Sequence, residues 1–225
     1  EIGVRLVGSE MCIRDRGMTG NKTQVAPAAA RGEPLRQSVM DAAERLLRRG
    51  KADFSMRDLA AEAGVSFATP FNQFGSKAAI MHALSGRRID TMAQRFAEMS
   101  APADAAGRVL LAIDTAVEVM LEEPEINRAV MGWIGTAGPS PGKVLAHSTT
   151  LWSLALGAGD GLIAAGRERA LRCLPEQFAF AFRGVLSFWT AGELPDEALA
   201  SNAREIAKTL LFGFVEPSPF SDSNA

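Results

Sequence analysis

Apolar residues recur along this chain at intervals of three or four positions, the spacing that places them on one face of an α-helix. In the first such stripe Leu35, Val39 and Leu46 share a face. No stretch alternates between apolar and polar residues for long enough to predict a strand. The chain is therefore predicted to be all-α, with Pro and Gly marking the breaks. Apart from two short helices at 55–75, the predicted helices cover about 33–49, 77–99, 103–122, 125–136, 142–168, 175–191 and 196–214.

Residues 54–77 contain the two short helices, joined by a tight turn. Ser55 stands where a helix N-cap belongs, and Asp58 three residues later completes a capping box. Gly64 can adopt the positive φ of the turn, and Ser66 is predicted to cap the second helix. Two helices joined in this way form a helix-turn-helix, whose second helix enters the major groove of DNA.

A set of short motifs surrounds the turn in a fixed order. These are Leu59-Ala60, Ala63-Gly64-Val65-Ser66, Thr69, Phe71, Phe74 and Ser76-Lys77. In order and spacing they resemble the TetR family of one-component bacterial transcription regulators, over roughly residues 35–84. The chain departs from the family pattern at Phe71, where most members have a Tyr whose hydroxyl can donate to a phosphate. Pro70, early in the second helix, is another less common feature.

The resemblance implies which side chains meet DNA. Thr69 and Lys77 would contact backbone phosphates. Phe67, Ala68 and Gln73 would face base edges or thymine methyl groups. The predicted DNA-binding residues are Ser55, Arg57, Ser66, Phe67, Ala68, Thr69, Phe71, Asn72, Gln73 and Lys77.

The last two predicted helices are markedly apolar, and in 175–191 the apolar residues occupy more than one face, which is typical of a helix buried on several sides. A TetR-like protein would use these two helices to build a four-helix dimer interface, where Gly184 would let backbones approach closely. The alternative is the core of a monomer, although a symmetric DNA-binding protein gains from being a dimer. The predicted interface residues are Phe178, Gly184, Val185, Trp189, Leu199, Ile206, Leu210 and Phe214.

The middle helices carry Met and Trp residues, which supply adaptable and large apolar surfaces. In a TetR-like fold this region encloses an effector cavity, joined to the DNA-binding part by helix 77–99, and its apolar lining favours a hydrophobic or aromatic small molecule. The alternative for each residue is ordinary core packing, and for a lone histidine a surface position. The predicted lining residues are Met120, Met131, Trp133, His147, Trp152, Leu156 and Phe182.

Charge is unevenly distributed along the chain, although the net charge is only −2. Residues 31–95 carry 11 Lys and Arg against 7 Asp and Glu, whereas residues 96–216 carry 9 against 15. A basic N-terminal part suits a domain that docks on phosphates. Ordinary scatter of charge is the alternative.

Several classes of function find no support in the sequence. Two Cys and two His in 225 residues predict no metal site, no disulfide framework and no cofactor. No catalytic residue is predicted, because no nucleophile–base pair and no phosphate-binding loop is present. No apolar run reaches the ~18 residues of a membrane span. With no signal-peptide core visible, the cytoplasm and its nucleoid are the predicted location.

Composition predicts four segments. Residues 1–32 form a disordered arm, of which 1–17 resemble a translated sequencing adapter; 33–80 form the helix-turn-helix domain, 81–216 the helical effector-binding and dimerisation domain, and 217–225 a tail.

The predicted function is a ligand-responsive repressor that binds a palindromic operator as a homodimer. The alternatives are an all-helical small-molecule-binding protein or enzyme without a DNA role, and a helix-turn-helix that binds another protein.

Overall fold

The computed structural model describes residues 28–136 and 143–215, with side chains from Gly32 onward. Within these ranges the chain forms nine helices and no strand, so the all-α prediction is confirmed. No helix among these residues combines the length and apolarity that crossing a membrane requires. The helices are α1 Ala28–Arg48, α2 Met56–Ala63, α3 Ala68–Phe74, α4 Lys77–Glu98, α5 Ala105–Glu122, α6 Pro124–Met131, α7 Val144–Leu156, α8 Ala164–Thr190 and α9 Asp196–Leu211.

Helix α1 begins earlier than predicted. Gly32 and Pro34 indicated a boundary near residue 33, but the helix continues N-terminally through residues 28–30, three alanines, which have the highest helix propensity. The predicted disordered arm is therefore wrong for residues 28–32. The rest of that arm, and the predicted tail 217–225, lie outside the described residues.

Helices α1 to α4 enclose an N-terminal core. Val39, Leu59 and Ile80 each have no solvent exposure at its centre. Ile126 and Val130 of α6 belong to the same cluster. Helix α6 therefore packs into the DNA-binding domain, although it lies outside the boundaries predicted for that domain.

A second core is built by α5, α7, α8 and α9. The indole ring of Trp152 lies 5.8 Å from the ring of Phe178 and 5.5 Å from that of Phe182, measured between ring centroids. Such aromatic contacts add to the free energy gained by burying apolar area. These rings fix how α7 packs against α8.

Two predicted helix boundaries in this region are wrong. The predicted helix 142–168 ends at Leu156, because Gly157, Gly159 and Gly161 all have positive φ, between 55° and 78°. Helix α8 then runs for 27 residues through Pro175, which was predicted to interrupt it. A proline inside a helix removes one backbone hydrogen bond, and here packing of a buried face around Pro175 outweighs that cost.

A buried polar network joins the two cores. Arg88 of α4 donates to Glu44 of α1 (2.9 Å) and to the Asn127 side chain of α6 (2.8 Å). Asn127 in turn donates to two backbone carbonyls of α5, at 3.1 and 2.9 Å. Arg48 of α1 makes a two-bond ion pair with Glu123, at 2.6 and 2.9 Å. The DNA-binding domain is thus connected to the rest through α6 as well as through α4.

Candidate DNA-binding surface and ligand cavity

The turn of the helix-turn-helix is held as predicted. The Ser55 backbone N–H donates to the Asp58 carboxylate (2.8 Å), and the Asp58 N–H donates to the Ser55 hydroxyl (3.2 Å), which completes the capping box. The Ser55 N–H and hydroxyl hold the pKa of Asp58 below its usual value. Gly64 adopts a φ of 66° and ends α2. These local bonds orient α2 and leave the next helix free to project outward.

Helix α3 starts differently from the prediction. Ser66 does not cap it, because the Ser66 hydroxyl hydrogen-bonds with the Thr69 hydroxyl (2.8 Å) and no side-chain cap is present. Pro70 is buried in the first turn of α3. Backbone N–H groups in a first turn have no intrahelical acceptor, so the N–H that proline lacks costs the helix little. Both features leave α3 a regular helix of seven residues.

Helix α3 presents two aromatic side chains to solvent. Phe67 and Phe71 are 54% and 43% exposed, with ring centroids 5.5 Å apart in an edge-on arrangement. Ala68 and Asn72 are exposed on the same short helix. Arg57 of α2 lies beside them, its guanidinium 5.7 Å from the Phe67 ring centroid. The structure therefore brings the predicted contact residues of α2 and α3 onto one outward surface, which we call the α3 surface.

Most arginines of the N-terminal domain are engaged internally, which the charge count did not reveal. Arg45 and Arg49 both bind Glu62, whose pKa is held down by the Arg45 hydrogen bond. Arg87 binds Asp41 at 2.7 Å. Arg57, in contrast, has no carboxylate within 4.0 Å among the described residues. The basic excess of residues 31–95 therefore provides fewer free cations than predicted.

Lys77 was predicted to contact a phosphate, but its ammonium is bound within the domain. It donates to the carbonyls of Ala52 and Phe54, both at 2.8 Å. It also lies 4.2 Å from the Phe54 ring centroid and 5.3 Å from that of Trp133. Burial lowers the pKa of Lys77. These contacts tie the start of α4 to the α1–α2 loop.

Replacing Lys77 with methionine should therefore lower stability. Two carbonyls would lose a charged donor, so we expect a loss of about 1–3 kcal/mol in the free energy of unfolding. Urea unfolding followed by circular dichroism measures this. The salt dependence of DNA binding should stay unchanged. A variant that is as stable as the wild type but whose DNA binding depends less on salt would instead show that Lys77 contacts a phosphate.

A cavity of about 390 Å³ lies among α4 to α8. Four of the predicted lining residues, Met120, Met131, Trp152 and Phe182, do line it. The wall is mainly apolar, with a few polar side chains. It consists of His82, Ser85, Arg88, Ile89, Met92, Met120, Met131, Ile134, Val144, Leu145, Ser148, Leu151, Trp152, Ala179, Phe180, Phe182, Arg183 and Leu186.

The other three predicted lining residues lie elsewhere. Leu156 is fully buried in the C-terminal core. His147 is exposed in a separate cleft between α1, α4 and α7. Trp133 packs against the N-terminal core beside Lys77. Spacing along the sequence could not separate these positions from the cavity wall, because neighbouring apolar residues of one segment pack into different clusters.

The charged residues of the cavity were not predicted from the sequence. Arg183 of α8 donates to the Met131 carbonyl at 3.3 Å, and burial lowers its pKa. Arg88 reaches the cavity from α4. A sequence signal existed for Arg183, since it is the one charged residue between Phe178 and Trp189.

The predicted interface residues lie on different faces of α8 and α9. Phe178 and Trp189 have 1% and 0% exposure within a single subunit, so neither can contact a partner, and Leu199 of α9 is fully buried as well. The outward face instead carries Phe180, which also lines the cavity, and Phe188; they are 50% and 59% exposed. Gly184 lies between these two phenylalanines at helical spacing. The remaining predicted residues, Val185, Ile206, Leu210 and Phe214, are half-buried within the subunit.

Gly184 is open on this face. A Cβ atom added there would meet nothing within 4 Å. We call Phe180, Gly184 and Phe188 the outer α8 face. Two large exposed apolar side chains around an open glycine form a patch of the kind that usually packs against another protein.

The helix-turn-helix with its outward α3, followed by an all-helical domain, defines a DNA-binding transcription regulator. Residues 39–84 match the family described as bacterial regulatory proteins, tetR family. By this match residues 39–84 resemble the DNA-binding segment of TetR-family regulators, as the sequence motifs predicted.

Solved structures share the fold. A TetR transcriptional regulator from Rhodococcus sp. RHA1 is 24% identical, with a TM-score of 0.64 over 81% of this chain and 97% of that one. The TetR family repressor AlkX from Dietzia sp. strain DQ12-45-1b, implicated in biodegradation of n-alkanes, is 19% identical, with a TM-score of 0.52 over 80% and 97%. The comparison with curated proteins gave no match. At these identities the likeness concerns the fold alone.

Proposed function

We propose that the protein is a dimeric repressor that binds a palindromic operator and releases it when a small molecule occupies the cavity among α4 to α8. It acts on the nucleoid, in the cytoplasm, and performs no catalytic step. The outward aromatic pair on α3 is the observation that carries the DNA-binding part, because exposed Phe67 and Phe71 bury nothing within the subunit.

The α3 surface suits a major groove. Phe67 and Ala68 can contact thymine methyl groups, while Asn72 can hydrogen-bond to a base edge. The Ser66 and Thr69 hydroxyls can donate to phosphates. Lys77 is left out of this contact set, since its ammonium already has two acceptors.

Arg57 should supply a phosphate contact. Changing Arg57 to alanine is expected to weaken binding to all duplex sequences and to lower the slope of log K against log salt by about one unit. Fluorescence anisotropy at several salt concentrations measures that slope. Arg172→Ala on α8 is the matched control, because it removes one charge far from α3. Equal slopes for the two variants would exclude Arg57 as a phosphate contact.

Two copies would pair through the outer α8 face. This arrangement leaves both α3 helices free. Half-sites separated by about one helical turn, ~34–36 Å, or by a multiple of it, would then mirror the two-fold symmetry.

Ligand binding can reach the DNA-binding domain through α6 and Arg88. Met131 of α6 lines the cavity, whereas Ile126 and Val130 of the same helix pack in the N-terminal core. Arg88 lines the cavity and binds Glu44 of α1. A ligand that displaces α6 or Arg88 would change the position of α1. Its effect on operator affinity equals the difference between its binding free energies for the DNA-binding and the released conformations, typically 1–3 kcal/mol.

The test begins with selection of bound sequences from random duplex DNA by the purified protein. A palindrome with fixed half-site spacing is expected, and compounds are then screened for release of that DNA. By reciprocity, operator DNA must weaken ligand binding by the same factor by which the ligand weakens operator binding. Ligand binding without any DNA binding would instead favour the small-molecule-binding protein or enzyme, and capture of a protein by α3 would favour an interaction module.

A further inference from the structure

Arg183 carries a charge that nothing in the described part of the subunit compensates. Its Nη1 is buried without a hydrogen-bond partner, and its Nη2 has only the Met131 carbonyl at 3.3 Å. No carboxylate lies within 4.0 Å of it among residues 32–136 and 143–215. Residues 137–142, which follow in sequence, contain no Asp or Glu.

An arginine in this position is expensive to bury. A guanidinium remains charged in proteins, and removing a charge from water without an opposite charge destabilises the folded state. Its neighbours in the wall, such as Phe182 and Leu186, are apolar. A bound water could accept a hydrogen bond from Nη1, but it could not neutralise the charge.

Arg88, in the same wall, provides a contrast. Its charge is compensated by Glu44, at 2.9 Å. Its Nη2 is nevertheless buried without a hydrogen-bond partner. The cavity wall therefore contains one arginine whose charge is uncompensated, and each of its two arginines has one nitrogen without a hydrogen-bond partner.

We propose that the effector is an amphipathic carboxylate, whose carboxylate group binds Arg183, with Arg88 as a second donor, and whose apolar body lies against Met92, Met120 and Trp152. Arginine pairs with carboxylates through two parallel hydrogen bonds. One uncompensated charge matches a monoanion better than a phosphate dianion. This inference rests on the proposed effector function and replaces the hydrophobic or aromatic molecule expected from the sequence with an amphipathic anion.

The carboxylate has a consequence for release of DNA. A contact to the unpartnered Nη2 of Arg88 would place a second carboxylate on the guanidinium that binds Glu44 of α1 through Nη1. The charged end of the ligand would thus act on the network that joins the two cores, whereas its apolar body would supply most of the buried area.

The experiment compares decanoate with decan-1-ol, which share a chain length and differ in charge. Binding to the full-length protein without DNA is followed by isothermal titration calorimetry. Decanoate is expected to bind at least about tenfold more tightly than the alcohol, because hydrogen bonds between two charged groups are stronger than those made by a neutral hydroxyl. In Arg183→Met, which keeps an unbranched side chain of similar reach, this preference should vanish while the alcohol binds as before.

Arg172→Met on the exposed part of α8 is the control and should keep the preference. Arg183→Met should also be no less stable than the wild type towards urea, because it removes a buried unpaired charge. Equal binding of both compounds by the wild type, no binding of either, or an unchanged preference in Arg183→Met would overturn the proposal. Because these measurements contain no DNA, a failure to find an operator would count against the repressor function alone.

Discussion

Changing Gly184 to arginine should convert a dimer into monomers and reduce operator affinity by about 10²–10⁴-fold. That range is the avidity gained when two linked modules bind together. The position is suitable because an added Cβ meets no atom within 4 Å, so the subunit itself can accommodate the side chain. Leaving glycine also favours the helix by up to ~1 kcal/mol. Any loss of DNA binding would therefore come from the interface and not from unfolding.

The oligomeric state is measured by analytical ultracentrifugation at micromolar concentration, and operator affinity by gel shift. Ala97→Arg, a small exposed residue of α4, is the matched control and should leave both properties intact. A Gly184→Arg protein that still sediments as a dimer and binds DNA normally would show that the outer α8 face is not the interface. A wild-type protein that sediments as a monomer would contradict the dimer itself.

Changing Trp189 to alanine should destabilise the subunit by about 3–5 kcal/mol, the cost of removing a large side chain from a packed core. Trp189 has no solvent exposure, and its indole N–H donates to Asp196 at 2.7 Å. The guanidinium of Arg128 lies 4.5 Å from its ring centroid. One side chain thus joins α6, α8 and α9, and its removal affects all three contacts at once.

The neighbouring residue gives the control. Phe188 is 59% exposed, so Phe188→Ala should change the free energy of unfolding by no more than about 0.5 kcal/mol. Urea unfolding of both variants in a Gly184→Arg background removes any contribution from assembly. If Phe188→Ala proved as costly as Trp189→Ala, the assignment of inner and outer faces of α8 would be wrong.

Helix α6 shows why domain boundaries were harder to predict than helices. The charge and motif pattern placed the end of the DNA-binding domain at residue 80. Yet Ile126 and Val130 complete the core of that domain, and Asn127 connects it to α5. These contacts join residues that are distant along the chain, and no periodicity within a single helix indicates which cluster its apolar face will enter.

Local chemistry, encoded by residues within about four positions of each other, determined what the sequence could predict. The Ser55–Asp58 capping box, the positive φ of Gly64 and the Ser76 cap of α4 were all predictable, because each is a short-range hydrogen bond or a backbone preference. The motif order around the turn likewise indicated the family whose model residues 39–84 match. The helical spacing of apolar residues predicted the all-α class, and the helix-turn-helix pattern predicted that its second helix is exposed.

Only the tertiary structure decided which predicted side chains reach a partner. The ammonium of Lys77 is bound by carbonyls of the α1–α2 loop, and Trp189 faces inward while Phe188 faces outward. Arg183 lies in the cavity wall without a carboxylate partner only because of how the surrounding helices pack. A helix that is apolar on every side gives no local indication of which face is covered by its own subunit, because burial depends on the packing of several distant segments at once.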